Sequence, residues 1–191
     1  MSFEDIGVMR SIPTMRIYDV VDEIQFAQAL PQILKLDGPV YIRVPRKTRP
    51  IVFNDEYQFE LFKSDVVKTG SDVSILASGT MVYEAKEASK LLEQEGIKAE
   101  VISLNMIKPL DKETILNSVK KTNKVVVCEN HNIYGGVYSA VAELLCQEYP
   151  VKVGTIGIND EFGQVGKYDD LLKAYNMTKE DIVEKVKEQL K

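Results

Sequence analysis

The 191-residue sequence predicts an α/β fold: an open, mostly parallel sheet flanked by helices, preceded by a partial α/β unit. Three observations carry this. Short β-branched runs alternate with amphipathic segments of about 10–15 residues. Capping residues and glycines bound those segments at regular positions. The 45% hydrophobic content is that of a globular chain with a core to bury.

The elements follow in order. Residues 2–12 read as a short helix with Ser2 and Asp5 near its start, Ile6, Met9 and Arg10 at helical spacing, and Pro13 after it. MRIYDVV (15–21) is a strand. Residues 22–38 are a helix with Asp22 as N-cap, Ile24, Phe26, Ala27 and Leu30 on one face, Pro31 as a kink and Asp37-Gly38 as exit. PVYIRV (39–44) completes a βαβ unit, hence parallel pairing with a right-handed crossover. Residues 47–70 lose any clear period and read as an extended linker with a short hairpin-like excursion. Beyond them come strand DVSILAS, a helix capped by Thr80 and ended by Gly96, strand KAEVISL and a helix begun by Asp111. Strand KVVVCE, helix GGVYSAVAELLCQEY, strand VKVGTIGI and two last helices follow, the second with Thr178-x-x-Asp181 as a capping box. The organisation expected is therefore 1–46, linker 47–70, and a compact unit 71–191.

Composition narrows the function. A net charge of −5 argues against nucleic acid as partner. No apolar run reaches the roughly 20 residues that span a bilayer, and the N-terminus lacks a signal pattern. Cys128 and Cys146 read as buried thiols in a reducing cytoplasm. With one histidine in the chain, a transition-metal site is not expected.

Four segments could carry chemistry. Arg43, Arg46, Lys47 and Arg49 put four cations directly after a strand, where parallel sheets bind ligands and where arginine suits phosphate. A solvated charge run at a linker start is the alternative. Gly135-Gly136 joins a strand to a helix, giving either a backbone anion site or a tight structural turn, with His131 beside Glu129 just before it. Ser78-Gly79-Thr80 is a further strand-to-helix turn. Asp160 and Glu161 stand in a glycine-bearing loop with no paired nucleophile, which favours a surface role.

Taken together, Ser2-Phe-Glu4-Asp5-Ile-Gly-Val-Met-Arg10-Ser-Ile-Pro13, Gly38-Pro39-Val-Tyr-Ile-Arg43-Val-Pro-Arg46, Glu129-Asn-His131-Asn-Ile-Tyr-Gly135-Gly136 and Phe162-Gly-Gln-Val-Gly166 resemble the C-terminal end of a transketolase, most closely the short chain of a split one. The resemblance implies that residues 1–46 are the end of a pyrimidine-binding domain and 71–191 the transketolase C-terminal domain. It implies transfer of a two-carbon ketol unit between sugar phosphates, with thiamine diphosphate and Mg2+ as cofactors. The diphosphate and metal would be held by a separate N-terminal domain or subunit, in a homodimer, and the cofactor-activating glutamate would lie upstream. Met1 stands where the family has the glutamine of a His-Gln pair. On this reading no catalytic, cofactor-binding or metal-binding residue lies in the chain, Arg46 binds the substrate's terminal phosphate, and the chain is inactive alone. Val165 replaces the serine usual in the Phe-Gly-x-Ser-Gly loop, and Val137-Tyr138 replaces a smaller Leu-Gly. Deoxyxylulose-phosphate synthase and the beta chain of 2-oxoacid dehydrogenases are sister readings, and a non-catalytic interaction module is a third.

Overall fold

The computed structural model describes residues 2–191; Met1, with the comparison made at it, lies outside them. The chain opens with α1 (Asp5–Ser11), β1 (Arg16–Asp19), α2 (Glu23–Ile33) and β2 (Val40–Arg43). Then come β3 (Asp65–Lys68), β4 (Val73–Ala77), α3 (Met81–Gln94), β5 (Ala99–Ser103), β6 (Met106–Lys108), α4 (Lys112–Thr122) and β7 (Val125–Asn132). It closes with α5 (Val137–Glu148), β8 (Val153–Ile158), α6 (Tyr168–Ala174) and α7 (Lys179–Leu190).

The strands form two sheets, ordered β2-β1-β6 and β3-β5-β4-β7-β8. In the larger sheet β5, β4, β7 and β8 run parallel, and only β3 is antiparallel. β4 and β5 are buried along their whole length; β4 (VSILA) is accordingly a nearly continuous apolar run, whereas β5 (AEVIS) also buries Glu100 and Ser103. In the smaller sheet the parallel pair aligns Asp19 with Arg43, which brings the last residues of both strands to one end.

Local chemistry sets several boundaries. Asp22 accepts from Gln25 N–H at 2.9 Å and caps α2, and Pro31 sits in that helix's last turn. Asp111 accepts from Thr114 N–H and caps α4, and Thr178 with Asp181 forms the expected capping box. Thr80 differs: its backbone is helical and its hydroxyl caps nothing, because the entry to α3 is a turn in which Met81 and Val82 donate to the carbonyls of Ser78 and Gly79.

The stretch 47–70, read from the sequence as an extended linker with a short hairpin-like excursion, is in large part structured and tethered. It carries β3, an edge strand with one apolar side chain half exposed, whose partner β5 supplies the pairing that its own sequence does not advertise. Residues 52–61 are tied down as well: Asp22 Oδ2 accepts from the N–H of Val52 and Phe53, and Gln28 bonds the carbonyl of Tyr57 and the N–H of Phe59. The second strand not foreseen is β6. Three residues are too few to show a period, and β6 pairs antiparallel with β1, outside the sheet that its sequence neighbours build. Cys146 is exposed rather than buried, since it lies on the outer face of α5, while Cys128 is buried in β7.

Three apolar clusters fill the space. One lies between the large sheet and α3, α6 and α7. A second, on the opposite face, unites Ile6 and Ile17 from the first 46 residues with Leu76, Ile102, Ile115 and Val141. The third packs Tyr18, Ala29 and Ile33 against Phe59 and Met106. The first 46 residues thus share a core with the rest.

Two outcomes are expected. Asp22→Ala removes the α2 cap and leaves two linker N–H groups unpaired, so unfolding free energy measured in urea falls by about 2 kcal/mol or more. Limited trypsin digestion cuts first after the exposed Arg46 and Lys47, with Lys63 and Lys68 protected by β3 and their ion pairs. Preferred cutting inside 100–150 would contradict the pattern of tethering described.

Candidate functional site

The carboxyl ends of β1 and β2 open onto a cavity of about 380 Å3. Parallel pairing puts Asp19 and Arg43 at its floor, and α1 adds Asp5. Arg43 Nε donates to Asp5 Oδ2 at 2.9 Å, its Nη2 donates to the Asn130 carbonyl at 2.7 Å, and Nη1 stands 3.8 Å from Asp19 Oδ1. Tyr41 donates its hydroxyl to Asp5 Oδ2, and Ser78 donates to Asp19 Oδ2. Burial would lower the Arg43 pKa, but Asp19 and Asp5 outweigh it and hold the guanidinium charged. Burial raises Asp19, with Arg43 opposing. Gly79 is required here, since its φ is +51° and a Cβ would collide with the Asp19 carboxylate.

The rim is cationic. Arg46 is exposed and lines the cavity, as does Arg49, whose guanidinium lies 3.4 Å over the Tyr168 ring. Lys47 faces the adjoining cleft beside Asp22 and Phe26 instead. Three of the four cations of the 43–49 run therefore meet at one cavity, Arg43 as a paired floor and the other two at its mouth. Asp160 and Glu161 lie in an exposed loop away from it.

His131, Gly135 and Gly136 sit behind the floor rather than in the cavity. The N–H groups of Val137 and Tyr138 at the start of α5 donate to Glu129, at 2.6 and 3.0 Å. The acceptor at this helix start is thus the protein's own Glu129 carboxyl group, fully buried. A side chain at position 136 would overlap both Glu129 and His131, which explains the glycine. His131 is also fully buried, with Nδ1 2.6 Å from the Asn132 carbonyl, so that nitrogen carries the proton and Nε2 accepts from Gly7 N–H at 3.4 Å. Burial keeps it below the usual histidine range and neutral. Arg10 closes the back, donating to the carbonyls of Gly135 and Gly136 and pairing with Glu143.

Sequence reasoning named Arg46 but missed Asp5, Asp19, Tyr41 and Tyr168. Asp19 had a usable signal, a carboxylate closing a strand whose parallel neighbour ends in arginine. Tyr168 had none, since 125 residues separate it from Arg43 and only the fold brings it near.

Burial pushes Glu129 up to about 8, with the two N–H bonds and Arg43 offsetting part of the rise. A carboxyl whose folded pKa lies above its unfolded one binds extra protons when folded, so its contribution to stability is lost as pH rises toward about 8. Glu129→Gln is expected to flatten that slope in urea melts across the range. It should also cost about 1–3 kcal/mol at neutral pH, because the amide NH2 must face one of the two donors. An unchanged slope would show that Glu129 is not the titrating group.

Comparison with known proteins agrees with this architecture. The family described as transketolase, C-terminal domain, matches residues 63–182. A 6-deoxy-6-sulfo-D-fructose transketolase subunit of Clostridium sp. strain MSTE9 is 43% identical over 183 residues, 96% of this chain and 57% of that protein. An apulose-4-phosphate transketolase subunit of Phocaeicola vulgatus is 36% identical over 182 residues, 95% of this chain and 58% of its own. The 1-deoxy-D-xylulose-5-phosphate synthase of Heliobacterium modesticaldum is 37% identical over 187 residues, 96% of this chain and 29% of the synthase. A solved structure described as a split gene transketolase, inactive beta4 tetramer, superposes with a TM-score of 0.95 at 39% identity, covering 100% of this chain and 62% of that one. The chain thus spans a little over half the length of the transketolase subunits it matches. A family match over most of the chain, joined to a near-complete superposition, makes this protein a member of the transketolase C-terminal domain family.

Proposed function

We propose that this chain is part of a transketolase that moves a two-carbon ketol unit between sugar phosphates, and that Arg46 binds the phosphate of the substrate. The observation that carries the reading is the cavity at the strand ends, with the exposed Arg46 at its mouth and an already neutralised Arg43 in its floor. A guanidinium without a protein carboxylate is free to take an external anion by two parallel hydrogen bonds.

Thiamine diphosphate and Mg2+ are the cofactors of the proposed reaction, supplying carbanion stabilisation and a bridge to the diphosphate. The cavity does not fit either. Its carboxylates Asp5 and Asp19 are engaged with Arg43, and among the described residues no group of three His, Cys, Asp or Glu is arranged to hold a metal ion. On this reading a separate N-terminal domain or subunit would hold both. The piece contributes substrate binding and scaffold, and works in a homodimer with the remaining transketolase segments. Phosphosugar names among the relatives support a sugar phosphate as ligand. No helix among the described residues is long and apolar enough to cross a membrane.

In the assembled enzyme, Arg46→Ala is expected to raise KM for xylulose 5-phosphate and ribose 5-phosphate about tenfold or more, with little change for unphosphorylated sugars. Equal losses for both classes would assign Arg46 a structural role. The purified 191 residues alone, with thiamine diphosphate and magnesium in excess, are expected to give no ketol transfer in a coupled assay. Turnover there would end the reading of this chain as a dependent part.

A further inference from the structure

Five buried side-chain polar atoms among the described residues have no hydrogen-bond partner, and four of them belong to residues lining the cavity just described: Asp5 Oδ1, Arg49 Nε, Thr80 Oγ1 and the Tyr168 hydroxyl. Buried polar groups are nearly always paired, so four orphans around one space mark where partners from outside the chain belong. The Thr80 and Tyr168 hydroxyls stand near enough for Thr80 to lower the Tyr168 pKa, but their contact falls short of hydrogen-bond geometry and leaves at least one of the two donors to be satisfied. Burial raises the Tyr168 phenol, which keeps it a donor.

The set has a definite chemistry. Arg49 Nε is a charged donor, and stacking on Tyr168 fixes the plane of its guanidinium. Thr80 and Tyr168 can each donate. Asp5 Oδ1 is an acceptor, because its other oxygen already serves Arg43 and Tyr41. Water could satisfy the hydroxyls, but two guanidinium groups at one mouth, with Arg46 unpaired by any carboxylate, favour an anion of more than one charge.

We propose that Arg49, Thr80 and Tyr168 form a second binding wall of this cavity, supplied largely by the C-terminal unit, which grips the phosphate of a sugar phosphate jointly with Arg46 and leaves Asp5 Oδ1 for a sugar hydroxyl. The proposal rests on the reading of Arg46 as the phosphate ligand and adds Arg49 as its partner. It also gives the C-terminal unit a direct part in recognising substrate, through Thr80 at the start of α3 and Tyr168 at the start of α6.

Calorimetric titration of the full chain with inorganic phosphate, and separately with ribose 5-phosphate, tests it. Arg46→Ala and Arg49→Ala are each expected to weaken phosphate about tenfold, and Thr80→Val about threefold. Arg49→Lys keeps the charge but loses the planar stack, so an intermediate loss is expected, and it guards against misreading a folding defect in Arg49→Ala. Ribose 5-phosphate should bind more tightly than inorganic phosphate. If Arg46→Ala weakens binding while both Arg49 variants and Thr80→Val match wild type, the second wall is refuted and the role of Arg46 stands. If the Arg46 variant binds phosphate as well as wild type does, or wild type binds none, the reading beneath it falls too. Equal affinity for the two ligands would remove Asp5 from the site.

Discussion

A guanidinium held between two carboxylates organises this molecule. Arg43 has only 14% of its side chain exposed, with Asp5 at 12% and Asp19 at 4%. Each comes from a different element, and Arg43 reaches further to the carbonyl of Asn130 at the end of β7. Such a cluster is expensive to bury and weak as a source of net stability, yet removing one member strands the others, at a cost of about 3–5 kcal/mol. Its effect is therefore specificity. α1, the β1–β2 pair and the end of β7 can meet in one arrangement only, and the cavity with its cationic mouth exists because they meet there.

The same logic recurs on the far side of β1. Gln25 on α2 accepts from the Tyr18 hydroxyl and Val21 N–H, and donates to Asn105. Asn105 in turn accepts from Ser103 and donates to Asp65, which also takes the Tyr57 hydroxyl. Desolvation raises Asp65 and these bonds work against the rise. The network ties the start of the chain, the tethered 52–65 stretch and the β5–β6 connection into one satisfied unit. Polar junctions of this kind set register where apolar contacts would allow sliding.

Much of the fold was legible in the sequence because it rests on local rules. β4, β5, β7 and β8 are short runs rich in β-branched residues between helical segments, and Asp22, Asp111 and Thr178 cap helices by contacts three residues away. What escaped rests on partners distant in sequence. β3 and β6 are three or four residues long and exist as strands only because β5 and β1 offer free edges. Thr80 looked like a cap from its position, but the turn at Gly79 satisfies the helix start with backbone alone. In the site, the cation run pointed to Arg46 and Arg49, whereas Tyr168 and Thr80 reach the cavity only through the way α6 and α3 pack. The paired glycines were visible, but that their helix start is filled by Glu129 required knowing where a buried carboxylate points.

The pairing of β6 with β1 has a mechanical meaning. A cavity walled by two units usually opens by swinging one about a hinge. Here a strand from the second unit is hydrogen-bonded into the first unit's sheet, and Ile6 and Ile17 lie in the same apolar cluster as Leu76 and Ile115. Rigid-body opening would have to break that ladder and expose that cluster, so it carries a cost that a hinged pair of separate units would not. Any ligand of the proposed site would then pass the exposed segment 44–48, where the Arg46 side chain can rotate while the paired frame behind it stays in place.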